Sequence, residues 1–237
     1  MDRQEFEALI ASAVNDRELK SSEIPPIDLY VDQIINLHTE KLREGDERFL
    51  DRQLTKTMIN NYAKDRVITP VKGKKYSKEQ ILQILTVYTL KGTLTIGEIK
   101  RYLDGAYAIE GFNADSLTAL YDRYRDTKDK NREYTARIVN EMLEANGLDI
   151  EKDEDFLVSL AAIASISGFM KNLAQAMIDA KFPPAPEEEN DKDKDKDKKE
   201  EKKEKKEKKE KDKKDKKDKD KKKKESTPMP EGVTAWG

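Results

Sequence analysis

The chain has 237 residues, 41% of them charged against 35% hydrophobic, with a net charge of −2 and no cysteine. So high a charged fraction excludes a core running through the whole sequence, and the lack of thiols excludes disulfides, zinc–thiolate sites, cysteine nucleophiles and thiol redox sensing. The shortage of apolar residues is local: Glu187 to Glu225 contains only Lys, Asp, Glu and Asn190, so the foldable chain is residues 1–182, enough for one core.

The first twenty residues, MDRQEFEALIASAVNDRELK, carry acids throughout and no uninterrupted apolar stretch. A secretory signal is therefore not expected, and a cytoplasmic protein is the simplest expectation. Phe6, Leu9, Ile10, Ala13 and Val14 have helical spacing, which defines an N-terminal helical segment over 1–23 that stops before Pro25-Pro26. Ile27, Tyr30, Val31, Ile34, Ile35, His38 and Leu42 mark a second helix, followed by the acidic loop REGDER. Thr55 is the N-cap of a short third helix anchored by Met58, Ile59 and Tyr62. The period then changes: Val67–Val71, Lys72-Gly73 and Lys74–Tyr76 predict a two-stranded hairpin with Gly73 in its turn.

Two capping boxes follow. Ser77 with Gln80 opens a helix with Tyr76 and Ile81 as staple, and Thr95 with Glu98 opens the next with Leu94 and Ile99. The first helix buries Ile81, Leu82, Ile84, Leu85 and Tyr88 and ends near Gly92. The second buries Ile96, Ile99, Tyr102 and Leu103. Further helices are predicted at about 114–125, at about 129–145 with Gly147 as stop signal, and at 154–180 after an Asp153 cap. The expected fold class is all-α with a small two-stranded β-hairpin wing, C-terminal helices and a disordered charged tail.

Charge is not spread evenly. Residues 187–225 hold 21 lysines against 17 acids, so with Glu231 set aside residues 1–186 carry −5. Within that acidic body, residues 52–78 hold eight Lys or Arg against the single Asp65. A local +7 on a short helix and hairpin is the footprint of a phosphate-contacting surface; the alternative is a solvated charged face. If Met58, Ile59 and Tyr62 anchor the helix, Lys56, Thr57, Asn60, Asn61 and Lys64 face outward, where an asparagine amide can pair bidentately with adenine. Arg66, Lys72, Lys74 and Lys75 would then follow the phosphates from the wing.

The stretch TMINNYAKDRVITPVKGKKYSKEQILQILTVYTLKGTLTIGEIKRYL resembles the winged helix-turn-helix unit of the MerR class of bacterial regulators. It has a helix ending in tyrosine, a hydrophobic-proline approach to a wing, Tyr-Ser opening the next helix and a Thr-capped final helix. More closely, IPPIDLYVDQI, LTKTMINNYAK and KKYSKEQI resemble a bacterial family known as domain of unknown function 1836 and regarded as MerR-like. The resemblance covers residues 24–104. It implies binding of double-stranded DNA, dimerisation and a role in transcription, of the repressor type. The chain departs from the class at Arg66, where a Gly usually stands, at Thr69, inserted before Pro70, and in the acidic loop at 43–50. The class cysteines that sense metals are absent, so metal sensing is not carried over.

Readings as an enzyme fare poorly. His38 is the single histidine, on an amphipathic helix, and is expected to pack. GTLTIGEI at 92–99 has P-loop glycine spacing, but Glu98 and Ile99 stand where Lys and Ser or Thr are required. DKDKDKDKKEEK from Asp191 imitates a calcium loop, with Lys196 and Lys202 in place of the necessary Gly and Glu. No catalytic residue, metal site, cofactor or small-molecule effector is identified.

The region 105–182 ends in a helix with two apolar stripes, Leu160, Ile163, Met170, Ala174 and Met177 beside Ile166, Phe169, Leu173 and Ala176. Either an intramolecular core or a homodimer interface accounts for them. The longest apolar run, Phe156 to Met170, is shorter than the ~20 residues a bilayer requires, so no membrane contact is expected. Beyond it, 183–237 reads as a linker, a Lys/Asp/Glu polyampholyte and a terminus around Trp236, without a core. The alternative to a DNA-binding regulator is a protein-interaction adaptor whose winged helix binds protein and whose tail is a tether.

Overall fold

The structure is a computed structural model and describes residues 1–71 and 73–184. Lys72 and the charged tail lie outside the described residues. The fold is mainly helical with one two-stranded antiparallel sheet: α1 (Arg3–Ala13), β1 (Leu29–Tyr30), α2 (Val31–Leu42), α3 (Lys56–Lys64), β2 (Lys75–Tyr76), α4 (Lys78–Leu90), α5 (Ile96–Tyr107), α6 (Ala114–Ala145) and α7 (Asp153–Lys181). Short 3-10 turns at Ser21–Glu23 and Glu47–Arg52 complete the connections.

Helix α4 is the axis of the core. Ile81, Leu82, Ile84, Leu85 and Val87 are all buried, so it is enclosed on nearly every side, by α2, α3, α5 and the first turns of α6. Its start is fixed as expected. The Gln80 N–H donates to the Ser77 hydroxyl and the Ser77 N–H to Gln80 Oε1 at 2.9 Å. Thr95 and Glu98 do the same for α5. A second, smaller cluster forms where Phe6 and Ile10 of α1 meet Leu143 and Ile150.

Two expectations are corrected. The helices predicted at 114–125 and 129–145 are one helix of 32 residues. The segment between them is charged but holds no Gly or Pro, and its Lys128 and Arg132 pair with Asp16 and Glu18 of the N-terminal arm. Ile27, assigned to the second helix, precedes it and is 64% exposed. The apolar run Phe156 to Met170, too short by itself for a bilayer, belongs to the 29-residue α7, which by length and composition alone is long and apolar enough to cross a membrane. Lys171 ends the uncharged run, but the helix tolerates this one charge and continues through a further apolar stretch.

His38 on α2 is buried, with its ring edge-on to Tyr88 and Nδ1 without a partner. Burial, seconded by the nearby charge of Lys91, holds its pKa down at about 4. Between the ordinary value near 6.5 and 4, the unfolded chain binds a proton that the folded chain refuses. Stability is therefore predicted to fall on acidification across this window, by about 3 kcal/mol in all. Urea melts at pH 7 and pH 4.5 test this, with His38→Phe expected to remove most of the difference. Asp16 does not share the window: against the upward push of burial, hydrogen bonds and charge from Lys128 and Arg132 hold it below its ordinary value, so its support is withdrawn only at lower pH.

Candidate nucleic-acid interface

Helix α3 is placed by its apolar side. Ile59 and Tyr62 are buried in the main core and Met58 packs at its margin, while Thr55 caps the first turn by accepting the Met58 N–H at 3.2 Å. The opposite side is left to solvent in two parallel rows: Lys56, Asn60 and Lys64 at four-residue spacing, and Thr57 with Asn61 beside them. All five are exposed.

The helix ends in a left-handed turn. The Val67 N–H reaches back to the Tyr62 carbonyl at 2.9 Å and the Arg66 N–H to the Ala63 carbonyl at 3.2 Å, the bond pattern of a Schellman motif. Its left-handed position is Arg66, at φ 54°, the one non-glycine residue with positive φ among those described. The position where the resembled class carries Gly is thus one that favours Gly, and Arg66 holds it against a cost of roughly 1–2 kcal/mol. Arg66→Gly is predicted to stabilise the fold by about 0.5–1 kcal/mol in urea, the relief being partly offset by the greater freedom of glycine in the unfolded chain. The same variant removes one unit of positive charge from the face.

The segment after Arg66 differs from the expected wing. Val67 and Ile68 are consecutive and both buried, which a surface strand with alternating faces does not allow. Their neighbours' bonds go elsewhere: the Thr69 N–H donates to Gln83 Oε1 at 2.8 Å, and Gln80 Nε2 donates to the carbonyls of Thr69 and Pro70. With the Val67 N–H taken by α3 and none on Pro70, no ladder can form across to 74–76. Strand β2 is there, but its partner is β1, in the register Leu29 with Tyr76 and Tyr30 with Lys75. Gly73 does take a positive φ, 81°, in keeping with its place in a turn.

The result is a loop held at both ends. Gln80 and Gln83 pin its start to α4, and the β1–β2 pair ties its end to the entrance of α2. Lys74 and Lys75 are exposed, and Lys75 Nζ lies 5.0 Å from the centre of the Tyr30 ring across the ladder. Of the nine predicted contact residues, the structure shows Lys56, Thr57, Asn60, Asn61, Lys64, Arg66, Lys74 and Lys75 all exposed on α3 and the adjoining loop; Lys72 is outside the described residues. Among the described residues none of the ion pairs involves these cations; Lys41, Arg101, Lys128 and Arg132 elsewhere are paired with acids, while Arg17, Lys20, Arg43, Arg123 and Lys130 are exposed and outside the ion pairs too, so it is the density of cations on α3 and its loop that sets this face apart. The residues missed by sequence reasoning are those that position the loop, Tyr30, Gln80 and Gln83. Two glutamines three apart on the otherwise apolar QILQIL were the available signal.

Such an arrangement defines a helical domain that presents, on one face, an exposed helix and adjoining loop whose described cations enter none of the described ion pairs. Residues 19–124 match the family described as Domain of unknown function (DUF1836). Searches of curated proteins and of solved structures gave no match to the chain. Among the described residues no group of three or more His, Asp or Glu side chains is arranged to hold a metal ion.

Proposed function

We propose that the protein is a DNA-binding transcription regulator with a MerR-like winged helix-turn-helix unit, acting as a homodimer. In this reading α3 lies in the major groove, with Asn60 and Asn61 toward base edges and Lys56 and Lys64 toward phosphates. Arg66 and the lysines of the 72–75 loop follow the backbone. The observation that carries it is the set of exposed cations, outside every described ion pair, on an otherwise acidic domain. Cations on a solvated face normally sit among acids, as Lys100 sits with Asp104 on α5; a cationic face without such partners is electrostatically suited to a polyanion.

The test is anisotropy titration of the full chain against its own upstream DNA and a shuffled duplex. Asn60→Ala or Asn61→Ala is expected to cost about 1–3 kcal/mol on the upstream site while leaving shuffled DNA unaffected. Equal losses on both would assign these residues to backbone positioning. Weak binding indifferent to sequence would favour the adaptor instead.

A further inference from the structure

Between α4, α5, α6 and α7 lies an open pocket of about 770 Å³, within the range of small-molecule sites, which are concave, mostly apolar and carry a few polar groups. Its walls include Leu90 of α4, Tyr102 of α5, Leu117 and Tyr124 of α6, and Ile178 of α7. Lys181, on the last turn of α7, is the one charged side chain among the lining residues.

A specific latch holds this space open. Arg101 donates to the Phe182 carbonyl at 2.9 Å and pairs with Asp179 at 2.7 Å, fixing the end of α7 on α5. The Phe182 ring fits there because residue 105 is glycine: a Cβ at that position would come within 2.3 Å of the ring. Ile178 enters the core just before the latch, while Met177 beside it is 64% exposed and lies over the opening. Helix α7 is thus secured at its end and spans the cavity rather than filling it.

We propose that this cavity binds an amphipathic monoanion, a medium-chain carboxylate in chemical class, with its apolar body against the aliphatic and aromatic walls and its anionic group at Lys181. Charge complementarity selects the anion, since Lys181 is the single charged group on a mostly apolar lining and no acid on that lining competes for it. The phenols of Tyr102 and Tyr124 add donors. Burial pushes both pKa values up, with the charges of Glu18 and Asp16 adding to the effect at Tyr124, so both hydroxyls keep their protons at neutral pH.

The experiment is calorimetric titration of the full chain with decanoate and with 1-decanol, both below micelle formation. Decanoate is expected to bind one per chain and decanol about tenfold or more weaker, the difference being the charge-assisted contact. Lys181→Gln should bring decanoate down to the level of decanol and leave decanol unchanged. Ala174→Trp should abolish both by occupying the cavity. Because Ala174 is half-buried, Met177→Trp at the exposed opening serves as a second obstruction, with circular dichroism confirming the helical fold of each. No decanoate heat, several molecules per chain, or undiminished binding in both tryptophan variants would overturn the proposal; the last would place the ligand on the outer face of α7. None of these readouts involves DNA.

Discussion

Replacing Lys72, Lys74 and Lys75 together by alanine is expected to weaken DNA binding about 500-fold at 0.1 M salt, on shuffled as well as upstream DNA. The figure follows from counterion release: each phosphate that the protein ceases to neutralise takes about 0.9 from the slope of log K against log salt, so three phosphates take about 2.7. The structural reason is the anchored loop. Lys74 and Lys75 do not sit on a free hairpin: the loop is tied at its start by Gln80 and Gln83 and at its end by the β1–β2 pair, in which Lys75 itself takes part. A charge held near a phosphate costs less to order than one on a loose strand. Removing the Lys75 ammonium from the Tyr30 ring costs roughly 0.5–1 kcal/mol of stability, too little to unfold the domain. Lys100→Ala, which removes a cation paired with Asp104, is the control and should leave the slope unchanged. An unaltered salt slope in the triple variant would mean that the loop does not touch DNA.

How much of this was legible in the sequence depended on the range of the interaction that decided each element. Ser77 with Gln80 and Thr95 with Glu98 are bonds across three residues, and both helix starts stand where those pairs predict them. The exposed rows of α3 followed from a helical period and the anchors Ile59 and Tyr62. The partner of Lys75–Tyr76 did not: β-propensity and a glycine turn pointed to the adjacent Val67–Val71. That choice was decided by a glutamine more than ten residues away and by a strand some 45 residues upstream. The join within α6 was hidden for a similar reason, because Lys128 and Arg132 find their acids on the N-terminal arm. The cavity had no local signature at all, since its walls come from four separate helices.

Helix α7 left a choice that the structure narrows. The chain's own core takes in Ile178, which belongs to neither stripe, with Ala174 at its margin, whereas Leu157, Leu160, Phe169, Met170 and Leu173 are all exposed, Phe169 at 67%. In the proposed homodimer a second copy covers them. Asp153, Glu154 and Asp155 begin the helix and Lys171 follows about four turns later, so an antiparallel register of two copies can set these acids opposite the partner's Lys171 and satisfies two-fold symmetry.

Met170→Glu and Leu173→Glu are therefore expected to give folded monomers by light scattering. The monomer already exposes both positions, whereas an unpaired charge is expensive only where water is excluded. The melting temperature measured at low concentration should change little. Affinity for a palindromic upstream site should fall about a hundredfold or more, because two half-sites are no longer engaged by one molecule, while affinity for a single half-site remains. The chain must also be tested by flotation with lipid vesicles, since α7 is long and apolar enough to enter a bilayer. A parent protein that is monomeric at micromolar concentration and floats with vesicles would show that lipid, and not a second copy, covers this helix.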